Sequence, residues 1–541
     1  MKHFLINTAA VLAGALLFAA SFPNPLFSSG LSLLAWAAYV PVFFVIRRTG
    51  GRSLVFWGAL YGYTAYKLLV PWLGAFHPLA GTAVSLLQLV YMALLFPLLK
   101  LACVLYPRKG YLVQWLLWLS YEYLRTLGFL GFPYGITGYT QWQHPLIIGI
   151  ASVFGVWGVS ALVLFPSVYL GAALFPRETS KIRPQKSRLS STMFAFFRRE
   201  RLAAAAWLGA LGAVLIFGLV KADYTKDITG TVKIALIQQN ADPWKDNTPG
   251  ANRRMLETLC SLSQKALDKE PDTELVVWPE TAFVPRIYWH LTYRDNAESY
   301  EVVRELMDFL APQKAAFLIG NDDARLEVGA SGDWDRVDYN AALLFEGGEL
   351  TEVYRKKHLV PFAEYFPYEK TFPRLYRALL KADTHFWKPG RESLVFSPGP
   401  LRFSAPICFE DCFGSISRDF TRRGAEFIVN LTNDAWAGSL SCQVQHLAMA
   451  VFRAVENRCS LVRAATSGQT CAIAPSGAIL ALAPPFTETA LTVEIPIVPG
   501  RTPYTVWGDL WGVLFSVFAA ILLLYGLFRS ILGVIKIGRN L

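Results

Sequence analysis

Residues 401 to 414, LRFSAPICFEDCFG, read as an apolar, strand-like run that alternates at first and stops abruptly at Cys408, followed by two carboxylates, Glu410 and Asp411, and a turn signal at Gly414. A strand that ends in a sharp turn is where a fold can hold a small nucleophile out of the plane of its own sheet. Two other fragments match it: VVWPET ends a strand at Glu280, and YRKKHLVPFAEYFP carries Lys356 and Glu364. A carboxylate, an ammonium and a thiol, each just past a strand, make a Glu-Lys-Cys site. Each alone has a plainer reading, because a buried Cys is usually a small hydrophobe and a strand-end Lys is usually solvated. Reactivity needs surroundings that favour the thiolate, and the three fragments together point to a site where none does alone.

With 541 residues, 53% of them hydrophobic, the chain is too apolar for an ordinary soluble protein and reads as a membrane protein with an attached globular part. Its formal net charge of +11 raises the question of nucleic acid, yet no nucleic-acid-binding motif and no basic helix with interleaved stacking aromatics occurs. The seven cysteines (Cys103, Cys260, Cys408, Cys412, Cys442, Cys459 and Cys471) are too few and too irregular for a disulfide framework. No CxxC pair points to zinc, and no metal is expected.

Stretches 4–22, 28–46, 54–75, 81–106, 111–130, 146–175 and 202–221, with an eighth at 507–528, are each roughly the ~20 apolar residues needed to cross a bilayer. The first also has features of a signal peptide, although its apolar run is long for one. Arg47, Arg48 and Arg52 follow the second stretch, and Arg108 and Lys109 the fourth. The loop after the sixth carries Arg177, Lys181, Arg183, Lys186, Arg188, Arg198, Arg199 and Arg201, whereas loops 23–27, 76–80 and 131–145 hold no Lys or Arg. By the positive-inside rule the first set is cytoplasmic, which puts the globular region outside the cytoplasm and both termini inside. The expected division is a helical bundle over 1–224, a globular domain over 225–505, and a last span with a cytoplasmic tail over 506–541. Much of the positive charge is then an orientation signal, and nucleic acid is not an expected partner.

Within the bundle Glu122 and Arg125 are three apart on one helix face, so they can pair, and charged groups at membrane depth point to function by default. Lys67 and Lys100 are expected to snorkel. In the outer region short apolar strands alternate with helices: strands at 232–239, ELVVWPE and AAFLIG, a hairpin turning at Gly347 and Gly348, then AEFIVNLTND, CSLVRAAT and a second hairpin at Ser476 and Gly477. Helices are expected at 251–268, 300–310 and 443–458. That alternation predicts a layered α/β domain. Segments 283–293 and 365–388, rich in aromatics and cations, read as interface-seeking loops.

VVWPET, Y-x-K-x-H-L-V-P-F-x-E-Y and I-C-F-E, in that order and separated by ~75 and ~50 residues, resemble the Glu, Lys and Cys motifs of the nitrilase, or carbon-nitrogen hydrolase, superfamily. NLTNDAW and the RAVEN/LVRAATSG segment are similar to it too. With spans on both sides of the domain, the whole chain resembles the apolipoprotein N-acyltransferase family. That resemblance implies an αββα sandwich beside a polytopic bundle, with Glu280, Lys356 and Cys408 as the catalytic triad. It further implies that Glu364 and Glu410 orient the lysine and the incoming amine, it places Trp244 near the acyl site, where an interfacial anchor is the other reading, and it matches Asn340 to a family asparagine. Three positions depart from the family pattern: Ala363 for Gly, Phe409 for Tyr after the cysteine, and Tyr134 for Trp. Phe409 removes a hydroxyl from the supporting site. Lys357, a strand neighbour of Lys356, should point the other way.

The implied chemistry is a two-step transfer that needs no metal or organic cofactor. Cys408 would take a fatty acyl chain from a membrane phospholipid, phosphatidylethanolamine by the resemblance, as a thioester. The α-amino group of the lipidated N-terminal cysteine of a diacylglyceryl apolipoprotein would then accept it, completing lipoprotein maturation at the outer face of a bacterial inner membrane. A membrane-tethered amidase or nitrilase, with water replacing the amine, is the alternative enzyme. A transporter or assembly scaffold is the non-enzymatic one, against which the intact triad and the scarcity of charges in the spans both count.

Overall fold

The computed structural model describes the chain apart from residues 176–185, 244, 246, 329–331, 382–385 and 540–541. Trp244 and three of the orientation residues, Arg177, Lys181 and Arg183, lie outside the described residues. The chain divides into two compact units, Met1–Ala222 with Trp507–Leu541, and Asp223–Val506.

In the helical unit, five helices among the described residues are long and apolar enough to cross a membrane: Lys2–Ser21, Ala80–Leu105, Ala151–Leu174, Arg201–Ala222 and the stretch Leu510–Leu532. Three of the eight expected stretches give something shorter. Residues 28–46 divide into a 3-10 turn, Ser32–Trp36, and a helix Val40–Arg48 that has Pro41 in its first turn. Residues 54–75 end their helix at Leu69, because Val70 precedes Pro71 and a residue before proline is driven out of the α region. The third, 111–130, is helical only over Gly110–Leu124.

The Ser53–Leu69 helix lies close against Ala80–Leu105 along a small-residue stripe. A Cβ on Gly58 would sit 2.3 Å from the Met92 carbonyl oxygen, and one on Gly62 would sit 2.4 Å from that of Gln88. Backbone contact of this kind is how helices associate where lipid removes the hydrophobic drive. Glu122 and Arg125 do not pair as expected; both are turned to the loop that follows their helix. Glu122 accepts from the Thr137 amide at 3.1 Å and from the Thr137 hydroxyl. Arg125 donates to the carbonyls of Phe132 and Tyr134 at 2.6 and 2.9 Å and lies over the rings of Tyr66 and Tyr121. The two charges therefore organise the irregular 131–140 backbone, whose polar groups need partners away from water. Lys100 extends its ammonium to the carbonyls of Ile46 and Arg47 at 3.1 and 2.7 Å, capping the Val40–Arg48 helix.

The second unit is built on strands β1 (Gly230–Gln238), β2 (Leu275–Val277), β3 (Ala316–Val328), β4 (Trp334–Glu346), β5 (Glu349–Arg355), β6 (Phe403–Ser404), β7 (Phe427–Thr432), β8 (Leu461–Ala465), β9 (Cys471–Ile473), β10 (Ile479–Leu482) and β11 (Thr489–Ile497). Among the described residues they form two mixed sheets, ordered β11-β1-β2-β3-β4-β5 and β10-β9-β8-β7-β6. The parallel pairs run β1 to β2 to β3 through the middle of the first sheet and β6 to β7 to β8 at one edge of the second. Alternation along β1 explains the layering. Val232, Ile234 and Leu236 point into a core shared with Phe403, Val429, Leu431 and Val462 of the other sheet. Ala235 and Ile237 point the opposite way, onto helices Pro249–Lys269 and Ala297–Leu310. Helices Gly414–Arg422 and Leu440–Asn457 cover the second sheet, completing an αββα sandwich.

Local chemistry starts the helices where expected. The Thr248 side chain accepts from the Ala251 amide with Pro249 in the first turn, and Asn296 accepts from the Ser299 amide at 2.8 Å. β11 was not among the expected strands; it lies at the edge of its sheet, where Pro496 can lack a donor. Segment 283–293 is not a free loop. It forms a helix, Ile287–Tyr293, with Ile287 and His290 buried, and Asn321 holds the Phe283 and Pro285 carbonyls at 2.6 and 3.0 Å. Segment 365–388 contains the helix Pro373–Lys381 and does leave Tyr368, Phe372, Leu375 and Leu380 exposed.

Candidate active site

Three strand ends of the sandwich deliver a buried carboxylate, a buried ammonium and a half-buried thiol to one place. β2 stops at Val277, and the chain turns through Trp278 and Pro279 to Glu280, with Thr281 in the left-handed region at φ 46°. This turn crosses directly over β3 at Gly320, where a Cβ would lie 2.1 Å from the Pro279 carbonyl oxygen and 2.7 Å from the Glu280 Cα. Only a residue without a side chain permits that approach. β5 stops at Arg355, and the Lys356 amide donates to the Asn340 carbonyl at 2.8 Å, carrying the pairing one residue further.

Lys356 is fully buried and its ammonium donates to Glu280 Oε1 at 3.1 Å and to Glu364 Oε1 at 2.7 Å. Asn340 Nδ2 donates to the same Glu280 oxygen at 2.9 Å, and the Asn433 amide to its other oxygen at 2.9 Å. The second Glu364 oxygen accepts from the Val360 amide at 2.8 Å. Lys357 points the other way, donating to Ser393 Oγ at 2.6 Å.

The third strand end differs from its expected form. β6 covers only Phe403–Ser404, and Ile407 makes a single parallel bridge to Leu431. Pro406, which has no N–H to give to a ladder, separates the two. Cys408 follows in the left-handed region at φ 50° and opens a 3-10 turn, Cys408–Cys412. A non-glycine residue held there is strained, and such strain collects where a side chain must be presented.

Glu410 does not face an incoming amine. It is fully buried and spends its oxygens on the Tyr354 hydroxyl and on the amides of Ile407, Lys357 and His358 at 2.8 to 3.0 Å. Its carboxylate therefore ties the turn of Cys408 to the backbone beside Lys356. Phe409 is buried between His358 and Phe413, an apolar wall with no hydroxyl to offer.

The electrostatics divide the labour. Burial alone would lower Lys356, but Glu280, Glu364 and Cys408 outweigh it, so its ammonium is held well above its ordinary value. Burial, then the Glu280 carboxylate, push the Cys408 thiol well up, with Lys356 opposing. The sulfur is therefore a neutral thiol at neutral pH and needs a proton acceptor beside it. Burial and then Lys356 bring His358 down to about 4, so it adds no second cation.

Sequence reasoning passed over Asn321, Asp322 and Asp323, three consecutive polar residues inside the buried part of a strand, a pattern that by itself marks a wall of a site. Asp322 lies opposite Asn340 in the register, accepts from the Trp387 indole at 3.0 Å, and is raised by burial to about 7.

Residues 233–499 match the family model of the carbon-nitrogen hydrolases, and residues 13–169 match that of the apolipoprotein N-acyltransferase N-terminal domain. Apolipoprotein N-acyltransferase 1 of Treponema pallidum is 46% identical over 540 residues, covering 98% of this chain and 97% of the relative. The protein of the same name in Treponema denticola is 42% identical over 529 residues, 95% of each chain. Among solved structures, a nitrilase-superfamily protein of Saccharomyces cerevisiae is 19% identical with a TM-score of 0.36, covering 53% of this chain and 96% of its own. Matched in both of its parts and similar to these relatives almost end to end, the chain belongs to the apolipoprotein N-acyltransferase family.

Proposed function

We propose that the protein transfers a fatty acyl chain from a membrane phospholipid, phosphatidylethanolamine in the first instance, to the α-amino group of the diacylglyceryl cysteine at an apolipoprotein N-terminus. Cys408 is the nucleophile, Glu280 the general base and Lys356 the cation beside the developing charge. The observation that carries the reading is the buried Lys356 ammonium, held between Glu280 and Glu364 with Cys408 in its field. In the first half-reaction Glu280 takes the thiol proton as sulfur attacks the ester carbonyl. Lys356 stabilises the tetrahedral oxyanion, and Glu280 returns the proton to the departing lysophospholipid oxygen. In the second, Glu280 takes a proton from the attacking amine, the amide forms and the thiol is restored. Asn340 and the Asn433 amide fix the Glu280 carboxylate during both transfers, and Glu364 fixes Lys356.

Purified full-length protein incubated with phosphatidylethanolamine alone should release lysophospholipid and gain one acyl mass on Cys408. Glu280→Gln should slow that gain by about 10²–10⁴-fold, the usual contribution of a general base. Absence of the adduct in wild type, or its formation at an unchanged rate in the variant, would defeat the assignment.

Supported by the absence of Lys and Arg from loops 23–27, 76–80 and 131–145, the active unit is placed on the periplasmic face with both termini cytoplasmic. Protease added to intact spheroplasts should then cut within Asp223–Val506. Protection of that unit until the membrane is permeabilised would reverse the orientation.

A further inference from the structure

Behind the Cys408 turn lies a group of four charged side chains that the proposed chemistry leaves unused. His446, in the Leu440–Asn457 helix, has its Nε2 2.7 Å from Asp411 Oδ1 and its Nδ1 3.1 Å from Asp434 Oδ1. Arg463 of β8 bonds Asp411 Oδ2 through Nη1 and lies 3.4 Å from Asp434 Oδ2 through Nη2, which is also 3.2 Å from His446 Nδ1. All four side chains are almost completely buried. Burial alone would lower His446, but the Asp411 and Asp434 carboxylates at its two ring nitrogens outweigh it, which favours the imidazolium. Two cations then alternate with two anions, which is how a buried cluster avoids an uncompensated charge.

The two carboxylates belong to the two loops that the reaction must keep in register. Asp411 sits in the 3-10 turn that opens with Cys408. Asp434 directly follows Asn433, whose amide holds Glu280 at 2.9 Å. We propose that His446 is a positioning residue for acyl transfer: its doubly bonded ring, with Arg463, ties the turn that presents Cys408 to the loop that holds the Glu280 carboxylate. The inference rests on the reading of Cys408 as nucleophile and Glu280 as base. Asp411, Cys412 and His446 also lie within 4.8 Å of one another, a spacing that a cation can use. Here each ring nitrogen already faces a carboxylate and a guanidinium occupies the remaining Asp411 oxygen, so the cluster is a clamp and not a cation site.

A clamp that carries charge is felt by the thiol. The groups facing His446 are Asp411, Cys412 and Cys408 from the turn, Asp434 from its loop, Cys442 from its own helix and Arg463 from β8. His446 eases ionisation of Cys408 and Asp434 opposes it. A purely structural ring would leave that balance alone.

The test is the pH midpoint of Cys408 alkylation by iodoacetamide in the full-length protein in detergent, read from the mass of the Cys408 peptide, together with the rate of thioester formation from phosphatidylethanolamine. His446→Gln, which leaves an excess negative charge, should raise the midpoint by about half a unit to one unit; Asp434→Asn should lower it by a similar amount. The double variant should return it to the wild-type value while thioester formation stays at least about tenfold slow, because the charge is rebalanced but the tie is broken. Midpoints that stay still, or move the same way in both single variants, would overturn the proposal. Should the variants fail to fold, nitrogen NMR of histidine-labelled wild type decides: one of the seven histidines should remain doubly protonated above pH 8, and its absence would refute the clamp. A wrong nucleophile shows differently, as a wild-type Cys408 that never gains an acyl mass.

Discussion

Cys408→Ser should lose at least about 10⁴-fold in acyl transfer, the scale on which removing a covalent nucleophile is felt. The proposed base is a carboxylate, Glu280, which can relieve a thiol of its proton far more readily than an alcohol. The oxygen variant keeps the Lys356 ammonium and the donors around it but has almost no nucleophile to use. Serine nearly matches cysteine in volume and meets the same φ of 50°, so thermal unfolding should shift by less than about 1 kcal/mol. That separates lost chemistry from lost structure. The adduct should also be specific in place: burial lifts Cys260 and Cys459 to about 12 as it lifts Cys408, but neither has the Glu280 carboxylate and Lys356 ammonium in its field. A hydroxylamine-labile acyl group on the serine variant, at any cysteine and at wild-type yield, would show that Cys408 is not the nucleophile.

What could be read from the chain before its structure follows the range of the forces involved. The strand ends at Glu280, Lys356 and Cys408 are local signals, an apolar run stopping at a charge or a thiol, and the structure puts Glu280 and Lys356 3.1 Å apart. The Gly347–Gly348 and Ser476–Gly477 hairpins were legible for the same reason, since turn chemistry is written in adjacent residues. The bundle was less so. Apolar length alone does not register that Pro41 and Pro71 break the backbone, and 28–46 and 54–75 each divide accordingly. Glu122 and Arg125 share a helix face, but backbone groups of the following loop, Phe132, Tyr134 and Thr137, compete for them and win. Glu410, next but one to Cys408, looked like a supporting carboxylate for the lysine and the incoming amine; only the fold brings the Lys357 and His358 amides to it and makes it a brace. The Asp411, His446, Asp434 and Arg463 group has no local pattern at all, because its members come together from a turn, a loop, a helix and a strand.

The second large effect belongs to Lys356→Met. In the folded protein one buried ammonium compensates two carboxylates, with contacts of 3.1 and 2.7 Å. Removing it leaves Glu280 and Glu364 with like charge, little water, and only Asn340 and the Asn433 and Val360 amides as donors. Breaking a buried pair by deleting one partner costs about 3–5 kcal/mol, and here it should also cost about 10³-fold in thioester formation, since the oxyanion loses its cation. The pH dependence has a definite sign. Burial already raises Glu364 and Lys356 pulls it down, so without the lysine the folded-state value rises further above that of the unfolded chain. The folded variant then binds more protons than the unfolded one. Its stability is greatest below the ordinary carboxylate range and falls as pH climbs through the raised value, making it weaker at pH 8 than at pH 5. Adding Glu364→Gln should recover most of the stability at pH 8, because one anion has gone, but none of the activity. Lys357→Met, whose ammonium reaches Ser393 and not the site, should stay within about twofold of wild type. Thermal unfolding in detergent at the two pH values, with acylation rates on the same samples, checks all of these. If Lys356→Met were folded and acylated Cys408 within tenfold of wild type, the lysine would be a structural counter-ion and the oxyanion would be stabilised by some other group.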